Sequence, residues 1–276
     1  QCGGNVTSDG GATVTARGIC WNTSPSPTIA NDTTNDGTGT GSFLSSITGL
    51  TASTSYYARA YATNNGGTAY GSELTFTTTE QVTDIDGNTY GSVRIGNQVW
   101  MLRNLRTAHY RNGDVIPLVT DSAQWQGLSS GACGDYRNDT AGVTDYGKLY
   151  NWFAVADSRN IAPVGWHVPS DSELQALVDR FGGDFLAANA LKESGTSHWV
   201  VPNSDATDES GFAAVPSGYR SYEGRYIGRG YTLCLWTSTD YSLGGAWYRS
   251  MVYSSAQVYH YNDSKTYGFS VRCIKD

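Results

Sequence analysis

Near the C-terminal end of the chain, two stretches alternate apolar and polar residues with the period of a half-buried strand: Ala246-Trp247-Tyr248-Arg249-Ser250-Met251-Val252-Tyr253 and Phe269-Ser270-Val271-Arg272-Cys273-Ile274. Both predict strands. At the other end, Gly18–Trp21, Ser42–Ile47, Tyr56–Ala62 and Glu73–Phe76 are short β-like runs separated by Gly, Asp, Asn and Ser clusters, the spacing of a small β-sandwich. Between these ends, residues 82–90 and 92–100 read as alternating strands turned at Asp86-Gly87 and Gly96-Asn97. Helical spacing appears over Tyr146–Ala156 and more firmly over Ser170–Phe181. There Ser170 is a natural N-cap with Glu173 three residues on, and Gly182-Gly183 stops the helix. Asp184–Glu193 predicts a short third helix.

These patterns divide the chain into an all-β sandwich over residues 1–79, a linker at 80–81 and an α+β domain over 82–276. A length of 276 residues suits two cores. Charged residues make up only 16%, aromatics reach 12% and Gly is 33 of 276, as in β-rich chains with many turns. The net charge of −7 and the scattered basic residues exclude a nucleic-acid partner, which needs a clustered basic face. No run of 18 apolar residues predicts a transmembrane segment. Five cysteines in a Ser-, Thr-, Gly- and Tyr-rich chain suggest a secreted or cell-surface setting. Cys2 and Cys20 sit one hairpin apart and are expected to pair. Among Cys133, Cys234 and Cys273 two have the chance to pair, and spacing does not say which.

Two resemblances sharpen this division. The pieces GGNVTSDGGATVTARGICW and TGTGSFLSSITGLTASTSYYARAYATNNGGTAYGSELTFTT look like fibronectin type III-like modules of exported Bacteroidetes-type proteins, with Leu50 and Tyr57 in the pattern that forms the corner before a core strand. Such modules begin with one strand more than is found here. The resemblance therefore implies a sandwich lacking its first strand, either because that strand has been cut away or because another copy supplies it, since an open edge invites strand addition and self-association. From residue 82 onward, Trp100-Met101-Leu102-Arg103-Asn104-Leu105, Tyr146-Gly147-Lys148-Leu149-Tyr150-Asn151-Trp152, Gly165-Trp166-His167-Val168-Pro169, Leu235-Trp236-Thr237-Ser238-Thr239 and Gly268-Phe269-Ser270-Val271-Arg272-Cys273 together resemble the Fibrobacter succinogenes major paralogous domain. That resemblance implies a C-type lectin-like fold and a secreted or surface protein without an established enzymatic role. Relatives often carry Cys where Ala162 stands, so no disulfide forms from that site, and Cys133 or Cys234 is left as the partner of Cys273.

Candidate chemistry is sparse. His167 has no nucleophile or acid beside it in sequence and reads as structural. Asp84, Asp86 and Asn88 imitate the start of a calcium loop but lack the closing bidentate acid, so no metal is expected. Asp205, Asp208 and Glu209 lie in a turn-like setting and read as caps rather than glycosidase carboxylates. Formylglycine-generating enzymes share the implied fold and use reactive cysteines, yet only Arg272 stands near Cys273 to stabilise a thiolate. No cofactor and no enzymatic activity are expected. Thr33, Ser122 and Thr140 follow aspartates in an acceptor-like pattern for bacterial O-glycans.

Tyrosine carries the remaining signal, because ten of nineteen fall after residue 217. Tyr241, Tyr248, Arg249, Tyr253, Tyr259, Tyr261 and Asn262 are the candidate ligand-binding face, since Tyr gives large contact area at low entropy cost while its polar neighbours hydrogen-bond. Proteins diversified by retroelements vary the same part of the implied fold. The expected function is an adhesin-like protein that binds a glycan or protein on another surface. The alternative is a fibre subunit joined through the N-terminal sandwich.

Overall fold

The computed structural model describes residues 2–52 and 54–276. It is β-rich with few and short helices, and it separates into two compact units, residues 1–80 and 81–276.

The first unit contains β1 (Cys2–Val6), β2 (Ala16–Asn22), β3 (Asp32–Thr33), β4 (Gly41–Ser45), β5 (Ser55–Asn64), β6 (Gly67–Tyr70) and β7 (Leu74–Thr77). One sheet has the order β3-β2-β5-β6, with β7 also on β5, and β1 and β4 form a second, two-stranded sheet. Ile19, Trp21, Phe43, Tyr56 and Ala58 fill the space between them. The corner tyrosine is Tyr56 rather than Tyr57. Tyr56 is buried and its hydroxyl accepts a hydrogen bond from the Thr51 amide at 3.1 Å, because alternation along β5 turns Tyr56 inward and Tyr57 toward the other side. The same alternation separates the cysteines expected to pair. Ile19 and Trp21 face the core, against which Cys2 also packs, whereas Cys20 points to the opposite side of β2, with Sγ 3.4 Å from the Pro27 carbonyl. Both are free thiols.

In the second unit follow β8 (Gln81–Thr83), β9 (Thr89–Ile95), β10 (Gln98–Met101), α1 (Ser122–Gln126), β11 (Cys133–Gly134), α2 (Val143–Tyr146), β12 (Leu149–Tyr150), α3 (Trp152–Val155), β13 (Trp166–His167), α4 (Asp171–Arg180), α5 (Ala187–Leu191), β14 (Tyr219–Arg220), β15 (Tyr226–Ile227), β16 (Thr232–Asp240), β17 (Gly245–Val252), β18 (Val258–Ser264) and β19 (Ile274–Lys275). A five-stranded sheet runs β13-β19-β10-β9-β8, and a three-stranded antiparallel sheet runs β16-β17-β18. The Ser170–Glu173 capping box opens α4 with both reciprocal bonds formed. The helix expected over Tyr146–Ala156 is broken instead. Gly147 takes φ +77° against Asn104, and Asn151 caps a separate α3, so a strand pairing intervenes. The stretch from Phe269 makes mostly isolated bridges, and only its end joins a ladder as β19.

Leu233, Leu235, Met251 and Val258 project from one face of the three-stranded sheet into a core with α4, α5, Trp100 and Trp199. Its other face supplies Cys234, Trp236 and Ala246 to a second core with Tyr150, Trp152 and Phe269. Cys133, Cys234 and Cys273 are all buried there as free thiols, contrary to the expected disulfide. Cys133 Sγ turns to the Ile116 carbonyl and Cys234 Sγ to Ser250 Oγ, each at 3.7 Å, so the side chains are spent on other partners. Among the described residues no helix is long and apolar enough to cross a membrane.

Candidate functional site

Register in the three-stranded sheet decides which side chains meet. Tyr248 stands opposite Trp236 on β16 and Tyr261 on β18, and Ser250 stands opposite Cys234 and Tyr259. Cross-strand partners share a face, as do residues two apart, so Thr232, Cys234, Tyr248, Ser250, Tyr259, Tyr261 and Asp263 lie on one side. Residues 258–264 form the regular strand β18.

On that side Tyr219, Thr232, Cys234, Tyr248, Ser250, Asp263, Tyr267 and Phe269 enclose a cavity of about 210 Å³. Its rings form a connected array. Tyr248 lies 4.5 Å from Phe269 and 6.1 Å from Tyr261, Tyr267 lies 5.4 Å from Phe269 and 5.8 Å from Tyr222, and Tyr259 stacks on Tyr261 at 5.8 Å. Each such pair adds about 0.5–1.5 kcal/mol beyond the area it buries, which makes the wall stiff. Thr232 Oγ1 and Ser250 Oγ meet at 3.3 Å on the polar side of the cavity. Asp263 accepts a bond from the Ser264 amide at 2.8 Å and, among the described residues, forms no ion pair. Burial raises its pKa above the ordinary carboxylate range, and that one amide bond opposes the rise. Burial likewise pushes the Cys234 thiol up to about 12 and the Tyr267 phenol to about 12, so both are neutral at ordinary pH.

The seven residues expected to form the face divide. Tyr248, Tyr259 and Tyr261 belong to this side, with Tyr261 half exposed. Arg249 and Asn262 project from the opposite side. Arg249 is only 1% exposed, its Nη2 3.0 Å from Asp171 Oδ1 and its Nη1 3.4 Å from Asp184 Oδ1, so it ties β17 to the helical layer and presents nothing to a ligand. Asn262 stands opposite Trp247, whose ring stacks on His260 at 4.3 Å. Tyr241 packs edge-on against the same Trp247 at 4.8 Å. Tyr253 lies past the end of β17, edge-on to Tyr231 at 5.3 Å. Tyr219, Tyr267, Phe269 and Asp263 were missed, since Tyr219 lies far in sequence from the Tyr267–Phe269 stretch and neither belongs to the strands that carry the other rings. Asp263 was legible in the period-two series 259, 261, 263.

The other polar candidates occupy local roles. Asp84 accepts from the Asp86 and Asn88 amides and from Tyr90 Oη, holding a turn, and among the described residues no three His, Cys, Asp or Glu side chains gather as a metal site. His167 is held between Asp276 and Glu173 at 2.7 and 3.0 Å. Burial works against its charge, but those two hydrogen bonds outweigh it and raise its pKa. Asp208 accepts from the Ala213 amide, and Asp205 and Asp208 take positive φ, as turn residues do. Thr33 and Thr140 are exposed, while Ser122 Oγ donates to the Gly224 carbonyl. A larger cavity, about 390 Å³, lies in the first unit between turn residues such as Ser8, Asn64 and Gly66, without a ring in its wall.

The model of the Fibrobacter succinogenes major domain matches residues 93–275. The chain belongs to this family. No curated protein and no solved structure matches it. In this Fibrobacter succinogenes major domain every wall of the aromatic cavity, from Tyr219 to Phe269, lies inside the matched span, while the first unit lies outside it.

Proposed function

We propose that the protein is a secreted or cell-surface binding protein, adhesin-like, whose second unit is a C-type lectin-like scaffold presenting the aromatic cavity and the Tyr259–Tyr261 pair to a glycan or protein ligand. The first unit, in this reading a fibronectin type III-like module, serves as stalk. One observation carries the reading: a cavity walled by four rings, with hydroxyls and one carboxylate, on the face of the three-stranded sheet that also supplies Cys234 and Trp236 to the second core. A concave site in which a few fixed polar groups converge between aromatic walls is what a ligand pocket looks like. Binding without covalent chemistry fits the thiol at this site, which burial keeps protonated and unreactive. The test is a glycan array and a panel of surface proteins probed with the intact chain and with Tyr261→Ala. Ligands retained by the intact chain and lost by Tyr261→Ala support the reading. Equal retention by both, or no ligand in either panel, removes it.

A second reading, a fibre subunit, is favoured by a different observation. The outer edge of β1 pairs with no described strand, and a groove of about 230 Å³ runs beside it, lined by Val6, Phe43, Ala60, Ala62 and Tyr70. Unpaired edges recruit strands. Sedimentation over a wide concentration range reads this directly: strand donation between copies gives growing oligomers, and a monomer throughout rejects it.

A further inference from the structure

The geometry points to a cationic group as the occupant of the aromatic cavity: the ammonium or guanidinium tip of a lysine or arginine side chain carried by a partner polypeptide. This rests on the binding-module reading and names the ligand chemistry at the same site.

Size comes first. At about 210 Å³ the cavity is smaller than the roughly 300–1,000 Å³ of pockets that take drug-sized ligands, so it holds a single head group rather than an extended chain. Charge comes next. Of the lining residues Asp263 alone carries a carboxylate, none carries a basic group, and burial keeps the phenols and the Cys234 thiol protonated. Partly buried carboxylates are ordinarily paired with a cation, and Asp263 has none among the described residues. The nearest ammonium in sequence, Lys265, is already bound to Asp240 at 3.0 Å and sits over the Trp152 ring. Rings add to the same preference, since an aromatic face is negative and attracts a desolvated cation. Thr232 and Ser250 supply hydroxyl oxygens that accept the remaining N–H bonds of an ammonium. An acid, four rings and two hydroxyls with no basic residue thus form a cage complementary to positive charge. A neutral sugar would leave the carboxylate uncompensated.

The experiment titrates N-acetyl-lysine amide and N-acetyl-arginine amide into the full chain, with N-acetyl-norleucine amide as the uncharged control, and follows tyrosine ring signals by NMR. Choline, spermidine and a set of monosaccharides form parallel arms. The charged amides are expected to shift the Tyr219, Tyr248 and Tyr267 signals while norleucine does not. Asp263→Asn, which keeps the bond from the Ser264 amide, is expected to weaken the charged amides at least tenfold, and Tyr267→Leu to weaken them again. Equal response to charged and uncharged amides, or no response to any, overturns the inference. Tighter binding of choline or spermidine than of the amino-acid amides overturns the polypeptide source. Monosaccharide binding that Asp263→Asn leaves intact overturns the cation and spares the binding module.

Discussion

Arg249 and Asp171 are joined through the back of the three-stranded sheet, Nη2 to Oδ1 at 3.0 Å, with the guanidinium 1% exposed. Asp171 begins α4, directly after the Ser170 cap, so the bond fixes the start of the helix to the middle strand. Tyr248, one residue earlier on β17, faces the cavity. The pocket wall and the bolt behind it are therefore consecutive residues of one strand, facing opposite ways.

Replacing Arg249 separates the two roles. Arg249→Met leaves Asp171 and Asp184 without their shared cation, and breaking such a pair from one side costs about 3 kcal/mol. Denaturant titration is expected to show that loss, with ligand affinity per folded molecule little changed. A variant of unaltered stability that no longer binds would put Arg249 back on the binding face.

Thiol chemistry checks the cysteines. All five are expected to react with a thiol reagent once the chain is denatured without reductant, since none is paired. In the native protein only Cys2, which is half-buried, should react quickly, while Cys20, Cys133, Cys234 and Cys273 wait for unfolding. A denatured count of three or one would reveal a disulfide.

Local signals were readable in the sequence, and relations between distant segments were not. Ser170 and Glu173 are three residues apart, and their capping box formed as their spacing required. Ala246–Val252 alternates, and it is a strand. Grouping Tyr248 with Arg249 failed because adjacent strand residues face opposite ways, and an arginine reads as solvent-facing until an acid 78 positions earlier is found against it. Ala156, Trp152 and Tyr146 kept helical spacing, yet Gly147 at positive φ and the Asn151 cap divided the segment. Tyr219 and Tyr267 reach the cavity from loops and a two-residue strand, where no periodicity announces a shared wall. The cysteines misled because their number and setting say nothing about which way each Cβ points.

Lys192 predicts an alkaline rise in stability. It is fully buried, and its Nζ donates to the Ser255, Ser204 and Val252 carbonyls at 3.0, 3.1 and 3.4 Å. Burial lowers its pKa to about 8, well below its ordinary value, with Asp205 opposing. Between about pH 8 and the unfolded value near 10.4 the unfolded chain holds one proton more, so unfolding becomes harder as pH rises, by at most about 1.4 kcal/mol per pH unit. The difference between wild type and Lys192→Met, followed by denaturant titration from pH 7 to 10, isolates that slope. Parallel curves would mean that the ammonium keeps its proton in the folded state.

Asp263 predicts the opposite dependence at acid pH. Its folded pKa is raised by burial, so the folded state holds the proton at pH values where the unfolded chain has released it. The stability this group contributes is complete below the unfolded carboxylate pKa of about 3.9 and is lost as pH rises through the folded value. Above that window the empty cavity carries a desolvated charge, and Asp263→Asn is expected to be the more stable protein there, while wild type gains on it as pH falls. The comparison is made by thermal unfolding of both proteins from pH 3 to 7. A cation in the cavity reverses the ranking, because it binds the ionised folded form alone and lowers the folded pKa of Asp263. Adding N-acetyl-lysine amide at pH 7 should therefore raise the Tm of wild type and leave that of Asp263→Asn in place, which makes the pH dependence of stability and the choice of ligand two readings of one carboxylate.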